Sequence, residues 1–277
     1  MNKFTALAIA LMTSVAVSAG PAITVGPDFA FPKTVISNAD SVLAVSKEPG
    51  QRMQALMQKC VAMQSIDPDS AFVLPGIVAS YAERESDAAY RGLLKLFQAR
   101  LLADIYSQKS YAYNRVAAPP EPLPADVALW SGDLFRSETG RLISEASKIL
   151  APYGEGSLKN YSSVIETGEN TLTFYPMLRD FVASSSISIA ESTGLPELRE
   201  TLRKQLLNQL KPGTAEWVSW VDDSDAAEQY EKYSTGLVGG VLLYKIPKKE
   251  GADTALGGLV KNYLETEPEN LITDVLK

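Results

Sequence analysis

The side chains of this chain that could do chemistry are carboxylates, lysines and hydroxyls, because its 277 residues include no histidine and one cysteine, Cys60. Without histidine there is no Ser-His or Cys-His couple, no HExxH zinc helix and no axial histidine for haem. A single cysteine allows no intramolecular disulfide, no CxxC redox pair and no thiolate zinc cage. Carboxylate pairs, Lys/Ser or lysine Schiff-base chemistry and Asp/Glu metal sites are what remain. The hydroxyls lack an anchor for acyl transfer, since neither a GxSxG elbow nor a Ser-x-x-Lys occurs. The 33 acids permit a two-carboxylate glycosidase by number, but three Trp and no aromatic–acid cluster offer little to line a sugar cleft.

Several local patterns need a reading. The run Ser184-Ser185-Ser186 falls in the middle of a helical pattern. There it lets a neighbouring helix approach closely; it also fits a polar site, but no base stands beside it. Asp222-Asp223-Ser224-Asp225 invites a calcium reading, yet it lacks the alternating acids, central glycine and distant glutamate of a calcium loop, so a helix cap is expected. Gly236-Leu237-Val238-Gly239-Gly240 is no phosphate loop, because no Gly-Lys-Ser/Thr ends it. Cys60 lies on the apolar face of a helix and reads as a small buried hydrophobe. Asn160-Tyr161-Ser162 fits a glycosylation acceptor, which matters only in a eukaryotic secretory pathway. Glu83-Arg84-Glu85-Ser86 and Glu191-Ser192 resemble the Glu-Ser of helical lytic transglycosylases, but the Gly-Leu-Met-Gln-type sequence expected downstream is missing from both, and helix caps are the better reading. No catalytic, cofactor-binding or metal-ligating residue is therefore assigned, and no cofactor is expected.

The N-terminus reads as an address. Met1-Asn2-Lys3 is a short positive region, Phe4 to Val17 is apolar apart from Thr5, Thr13 and Ser14, and Val17-Ser18-Ala19 places small residues for cleavage before Gly20-Pro21. Residues 1–19 are thus expected to be a secretory signal cleaved near Ala19, leaving a periplasmic, cell-surface or secreted chain. No later stretch approaches eighteen unbroken apolar residues, so no transmembrane segment is expected in the mature chain. The net charge is −7, and one more negative once Lys3 is removed, which argues against nucleic acid as a partner.

From residue 20 to 277 the expected architecture is a single all-α domain, an array of antiparallel helical hairpins with tetratricopeptide-like packing, best defined over 86–211. No 34-residue repeat is present. Val35, Ile36, Ala39, Val42 and Leu43 make one stripe; Met53, Leu56, Met57, Cys60, Val61 and Gln64 make the next. Asp67-Pro68-Asp69-Ser70 is a cap and turn, and a helix from about Ser70 to Arg84 is expected to be weakened or kinked by Pro75-Gly76. From Ser86 to about Arg115 only Gly92 interrupts a pattern with Tyr90, Leu93, Leu94, Phe97, Leu101, Ile105 and Gln108 on one face, a helix of about 45 Å. A proline-rich connection, Ala117 to Pro124, stops it. Further helices are expected over Asp133–Leu150, Ser157–Ile165 up to Gly168, and from Pro176 with Met177, Leu178, Phe181, Val182 and Ile189 inward. Pro196 opens another with Leu195, Leu198, Leu202, Leu206 and Leu210 inside and Glu197, Arg199, Glu200, Arg203 and Lys204 outside. Over 214–250, Thr214 and Ser224-Asp225 are candidate caps, and Val238–Tyr244 admits a strand, a kinked helix or a hairpin arm. Asp253 to Glu265 returns to helix.

From about Ala88 to Ser192 the chain resembles the N-terminal helical region of the alpha-2-macroglobulin-like proteins of Bacteroidetes-type bacteria. The residues that carry this are Leu101-Leu102-Ala103-Asp104-Ile105-Tyr106, Tyr111, Asn114, Arg115, Trp130, Phe135, Tyr161, Ile165 and Gly168. Pro176-Met177-Leu178-Arg179-Asp180-Phe181 resembles the family's Pro-x-Leu-x-Asp-Phe turn. The resemblance implies a helical front end preceding a series of macroglobulin β-domains in an envelope protein associated with trapping proteases. Cys60-Val61-Ala62-Met63-Gln64 is not the family's Cys-x-Glu-Gln thioester, and alternating-strand runs for β-sandwich modules are absent. The expectation is a non-enzymatic helical scaffold whose partners are other protein domains or envelope proteins. A small periplasmic glycan-binding protein or carboxylate-based glycan-cleaving enzyme is the alternative.

Overall fold

In the computed structural model, residues 31–117, 124, 126–166, 176–211, 217, 220–221, 223–233, 236–246 and 253–266 are described. Residues 1–30, which include the stretch expected to be a signal, most of the proline-rich connection, Gly168, Thr214 and Asp222 lie outside them. Every regular element among the described residues is helical, and the one pairing of β type is an isolated bridge between Ser157 and Met177. The all-α expectation holds. Two compact units divide the chain, Met1–Leu202 and Arg203–Lys277, where the sequence offered no boundary.

The first unit begins with α1 (Pro32–Val45) and α2 (Pro49–Ile66), each with proline in its first turn, where a missing N–H costs nothing. They run antiparallel. Ser46 Oγ donates to Gln51 Oε1 (2.9 Å) at the turn, and Lys59 Nζ reaches Asp40 Oδ1 (2.6 Å) further along. The α1 stripe faces inward as its spacing predicts, with Ala39 fully buried. Asp67 Oδ1 accepts from the Asp69 backbone N–H and opens a short 3₁₀ turn, Pro68–Phe72. The next helix, α3 (Leu74–Arg84), starts there instead of running through from residue 70. Pro75 occupies its first turn, so this proline begins a helix and kinks none.

The central element is α4 (Ala88–Tyr113), 26 residues and about 39 Å long. Asp87 caps it, its Oδ1 accepting from Tyr90 N (3.1 Å). Single-face periodicity understates its burial. Leu101 to Tyr106 are all buried in succession, because α2, α3, α5 (Gly132–Leu150) and α6 (Leu178–Ser192) all pack on it. Gln108, expected inside, is exposed; it lies just before a kink at Lys109 (φ −139°, ψ 31°). Helix α5 runs antiparallel to α4. Leu150, at its end, touches Gly92 near the start of α4, while Phe135, near its start, packs on Tyr106 and Tyr113 near the end of α4. At Gly92 the Leu150 side chain fills the space a Cβ would take: one there would stand 2.6 Å from Leu150 Cγ.

Ser131 caps α5 through Leu134 N (3.3 Å). Beyond it, the helix expected over Ser157–Ile165 is only a 3₁₀ turn, Leu158–Tyr161, followed by turns that bury Val164 and Ile165. Its start is held in extended form, where Leu158 N donates to Pro176 O and Leu178 N to Gly156 O, both at 2.9 Å. The Pro-x-Leu-x-Asp-Phe segment then has a local physical meaning. Asp180 Oδ2 accepts from the Met177 backbone N–H (3.0 Å) at the start of α6, and Phe181 is buried in the following position. At the other end of α6, Gly194 adopts φ +70°. Leu195 N donates to Ala190 O and Gly194 N to Glu191 O, the paired bonds of a Schellman stop. Helix α7 (Pro196–Gln209) follows, and the division between the units falls within it.

In the second unit, α8 (Asp223–Lys232) packs on α9 (Gly236–Lys245), and α9 on α10 (Asp253–Thr266). Val238–Tyr244 is helix; with no described strand to pair with, its backbone satisfies itself locally, and Leu242 and Leu243 are buried. Ser224 and Asp225 lie inside the first turn of α8, two and three residues after its cap position. Arg203 corrects the outward assignment made from periodicity: it is buried, and its Nη1 donates to Trp220 O (3.2 Å). Trp217, also buried, meets Tyr233 edge-on at 5.2 Å. Regular stacking of a tetratricopeptide type does not follow from these contacts.

Candidate functional site

The α1–α2 pair and the α3–α4 corner enclose a cleft of about 310 Å³ lined by Asp40, Leu43, Ala44, Arg52, Met53, Leu56, Tyr81, Arg84, Glu85 and Leu94. Its organising contact is Arg52 with Glu85. Arg52 Nη2 lies 2.6 and 2.7 Å from the two carboxylate oxygens, and Nε adds a third bond at 3.1 Å. The rest of the guanidinium is spent on the α1–α2 turn, Nη1 donating to Lys47 O (2.6 Å) and Ser46 O (3.3 Å). Glu85 Oε1 also accepts from Asp87 N (2.9 Å), and Glu85 O accepts from Arg91 Nη1 (3.1 Å). Both oxygens of Glu85 are thereby saturated with N–H donors, and its side chain is 5% exposed. Asp40, the other acid of the cleft, is paired with Lys59, whose ammonium is held above its ordinary range chiefly by the bond to Asp40.

A second concentration of polar groups lies where α4 meets α6. Arg100 Nε stands 2.8 Å from Asp104 Oδ1, and Arg100 Nη1 donates to Ser188 Oγ (3.2 Å). Among the described residues Asp104 Oδ2 has no hydrogen-bond partner, nor have the buried hydroxyls of Thr139, Ser185 and Ser186. Burial pushes the Asp104 carboxyl up to about 6, against the attraction of Arg100. Its folded pKa is raised above the unfolded value of 3.8. Between the two the folded chain keeps a proton that the unfolded chain has lost, so this carboxyl's contribution falls as pH rises through that window. The change amounts to about 3 kcal/mol. Unfolding by denaturant, followed between about pH 4 and pH 7, is expected to show the stability of wild type relative to Asp104→Asn dropping across that range. A difference that stays constant with pH would remove this assignment.

The serine run is buried, in keeping with its reading as a small-residue stretch against neighbouring helices. Cys60 is buried with its thiol pushed up to about 12 by desolvation, which leaves no thiolate to react. Glu85 sits at the C-terminal boundary of α3, and Glu191 near that of α6, where it is exposed and 4.0 Å from Arg199. Both Glu-Ser pairs are thus helix-end features. Asn160 is exposed on the 3₁₀ turn. Among the described residues no group of three or more Cys, Asp or Glu is placed to hold a metal ion, and no helix is long and apolar enough to cross a membrane.

Comparison with protein-family models, with curated proteins and with solved structures gave no match.

Sequence reasoning did not anticipate the cleft, because its residues come from four helices at no fixed spacing. A signal for the α4–α6 seam was present: Arg100 and Asp104, four apart, interrupt an apolar run, and a charge pair in such a position reads as buried or functional.

Proposed function

We propose that this chain is a non-enzymatic helical scaffold of an envelope protein, comparable to the N-terminal part of bacterial alpha-2-macroglobulin-like protease-inhibitor proteins. On this reading it lies in the periplasm or at the cell surface after cleavage near Ala19 and packs on other protein domains. The observation that carries the proposal is the use made of the buried acids. Glu85 ties the α3–α4 corner to α2, Asp180 caps α6, and Asp104 pairs with Arg100 beside α6. Glu85 spends its charge between elements and Asp180 on the start of its own helix, uses that suit a scaffold, while Asp104 pairs only within α4.

The glycan-directed alternative has one observation in its favour, since Asp40 and Glu85 line the same cleft. Incubation with purified peptidoglycan separates the two readings. The scaffold reading expects neither retention on the polymer nor release of soluble fragments, by wild type or by Asp40→Asn and Glu85→Gln. Fragment release lost in either variant would replace it with the enzyme reading; retention without release would replace it with the glycan-binding one.

A further inference from the structure

The cleft between α1–α2 and the α3–α4 corner has a chemical asymmetry that the scaffold reading does not use. Its floor is apolar, built from Leu43, Met53, Leu56 and Leu94. Four charged groups line its polar side, and three of them are already neutralised: Arg52 and Glu85 by each other, Asp40 by Lys59. The fourth, Arg84, is exposed at the last turn of α3 and makes no ion pair among the described residues. The hydroxyl of Tyr81, three residues earlier on α3 and in the same lining, makes no hydrogen bond among them either. A surplus guanidinium and a free hydroxyl donor above an apolar floor form the complement of a carboxylate carrying an alkyl body. The volume, about 310 Å³, is at the small end for ligand pockets and suits a short chain rather than a polymer.

We propose that this cleft is a binding site for a small aliphatic monocarboxylate, whose head pairs with Arg84 and Tyr81 and whose chain lies on Leu43, Met53, Leu56 and Leu94. The carboxylate accepts from both donors. Arg52 and Glu85 form the rigid neutral wall that keeps the anion from being drawn deeper, since neither has charge to spare.

Calorimetric titration of the full chain with octanoate tests this, with 1-octanol and octylamine as probes of the same length and different charge. Octanoate is expected to bind with a dissociation constant of roughly 0.1–1 mM, and the alcohol and amine distinctly more weakly. Arg84→Gln, an exposed change that leaves the packing intact, is expected to weaken octanoate roughly tenfold and to leave octanol unaffected. Ala44→Trp, which fills the mouth of the cleft, is expected to abolish binding of both. Arg141→Gln, on the outer face of α5 where it pairs with Glu138 and Glu145, is expected to change nothing. No octanoate binding at several times that concentration overturns the proposal. So does equal affinity for octanoate and octanol, or an Arg84→Gln chain that binds octanoate as wild type does.

Discussion

Replacing Phe135 by alanine is expected to destabilise the first unit by about 3–5 kcal/mol. Phe135 is fully buried near the start of α5, and three rings surround it: Tyr106 at 5.8 Å, Tyr113 at 4.7 Å and Trp130 at 5.4 Å between centroids. Removing it opens a cavity whose walls are fixed from two sides. Tyr106 donates to Asn114 Oδ1 (3.2 Å) and accepts from Arg136 Nη1 (2.6 Å), and Trp130 Nε1 donates to Pro124 O (2.9 Å). These bonds prevent the rings from collapsing into the space, so the cavity cost adds to the lost transfer energy. Denaturant titration read by tryptophan emission checks both parts: the midpoint falls, and the native spectrum shifts to the red as Trp130 loses a neighbour. A loss below about 1 kcal/mol would mean that the α4–α5 contact does not hold the hairpin.

The second large effect is expected at Arg52. Arg52→Met leaves Glu85 with its carboxylate buried and only the Asp87 N–H to accept from, and is expected to cost about 3–5 kcal/mol. In a unit of this size that is roughly a 10 °C drop in Tm. The double variant Arg52→Met/Glu85→Leu removes the stranded charge together with its partner and is expected to recover most of the loss. Thermal unfolding of the two variants against wild type separates a structural tie from a surface ion pair. A single-variant loss of a few tenths of a kcal/mol would place the pair with exposed salt bridges, which contribute little.

What could be read in the sequence was whatever local periodicity encodes. The starts of α5 and α7 lie within a residue of their expected positions, because serine or proline at a helix N-terminus acts on its own backbone, whereas Pro49, which opens α2, carries no such mark in the apolar stripe that begins at Met53. Pro75 shows the reverse: a proline inside an apolar pattern is locally indistinguishable from one that opens a helix, and only the 3₁₀ turn at Pro68–Phe72 decides it. The all-round burial of Leu101–Tyr106 was not legible, since it reflects how many helices pack on α4 and not the order of residues along it. Arg203 shows the same limit. Its place on the polar side of α7 was inferred from spacing, while its burial depends on a carbonyl seventeen residues further on.

The cleft was less legible than the fold. Glu85 was noticed for its serine neighbour, whereas what defines it is Arg52, thirty-three residues earlier. Arg84, flanked by two glutamates, reads as one more solvated charge until the cleft shows that the neighbouring acid faces a different cation. The missing histidines, which exclude so much chemistry, accord with a molecule whose buried Glu85 ties α2 to the α3–α4 corner.

The central claim is that this chain works by holding another envelope protein or domain. Its most direct test is the mass of the native particle that carries the chain, tagged at its C-terminus and extracted from the envelope without denaturation, with cross-links mapped to residues. The account predicts a particle larger than the chain alone, joined through its helical surface to one defined protein at stoichiometric yield. A chain that is monomeric, makes no cross-link and turns over peptidoglycan would contradict it.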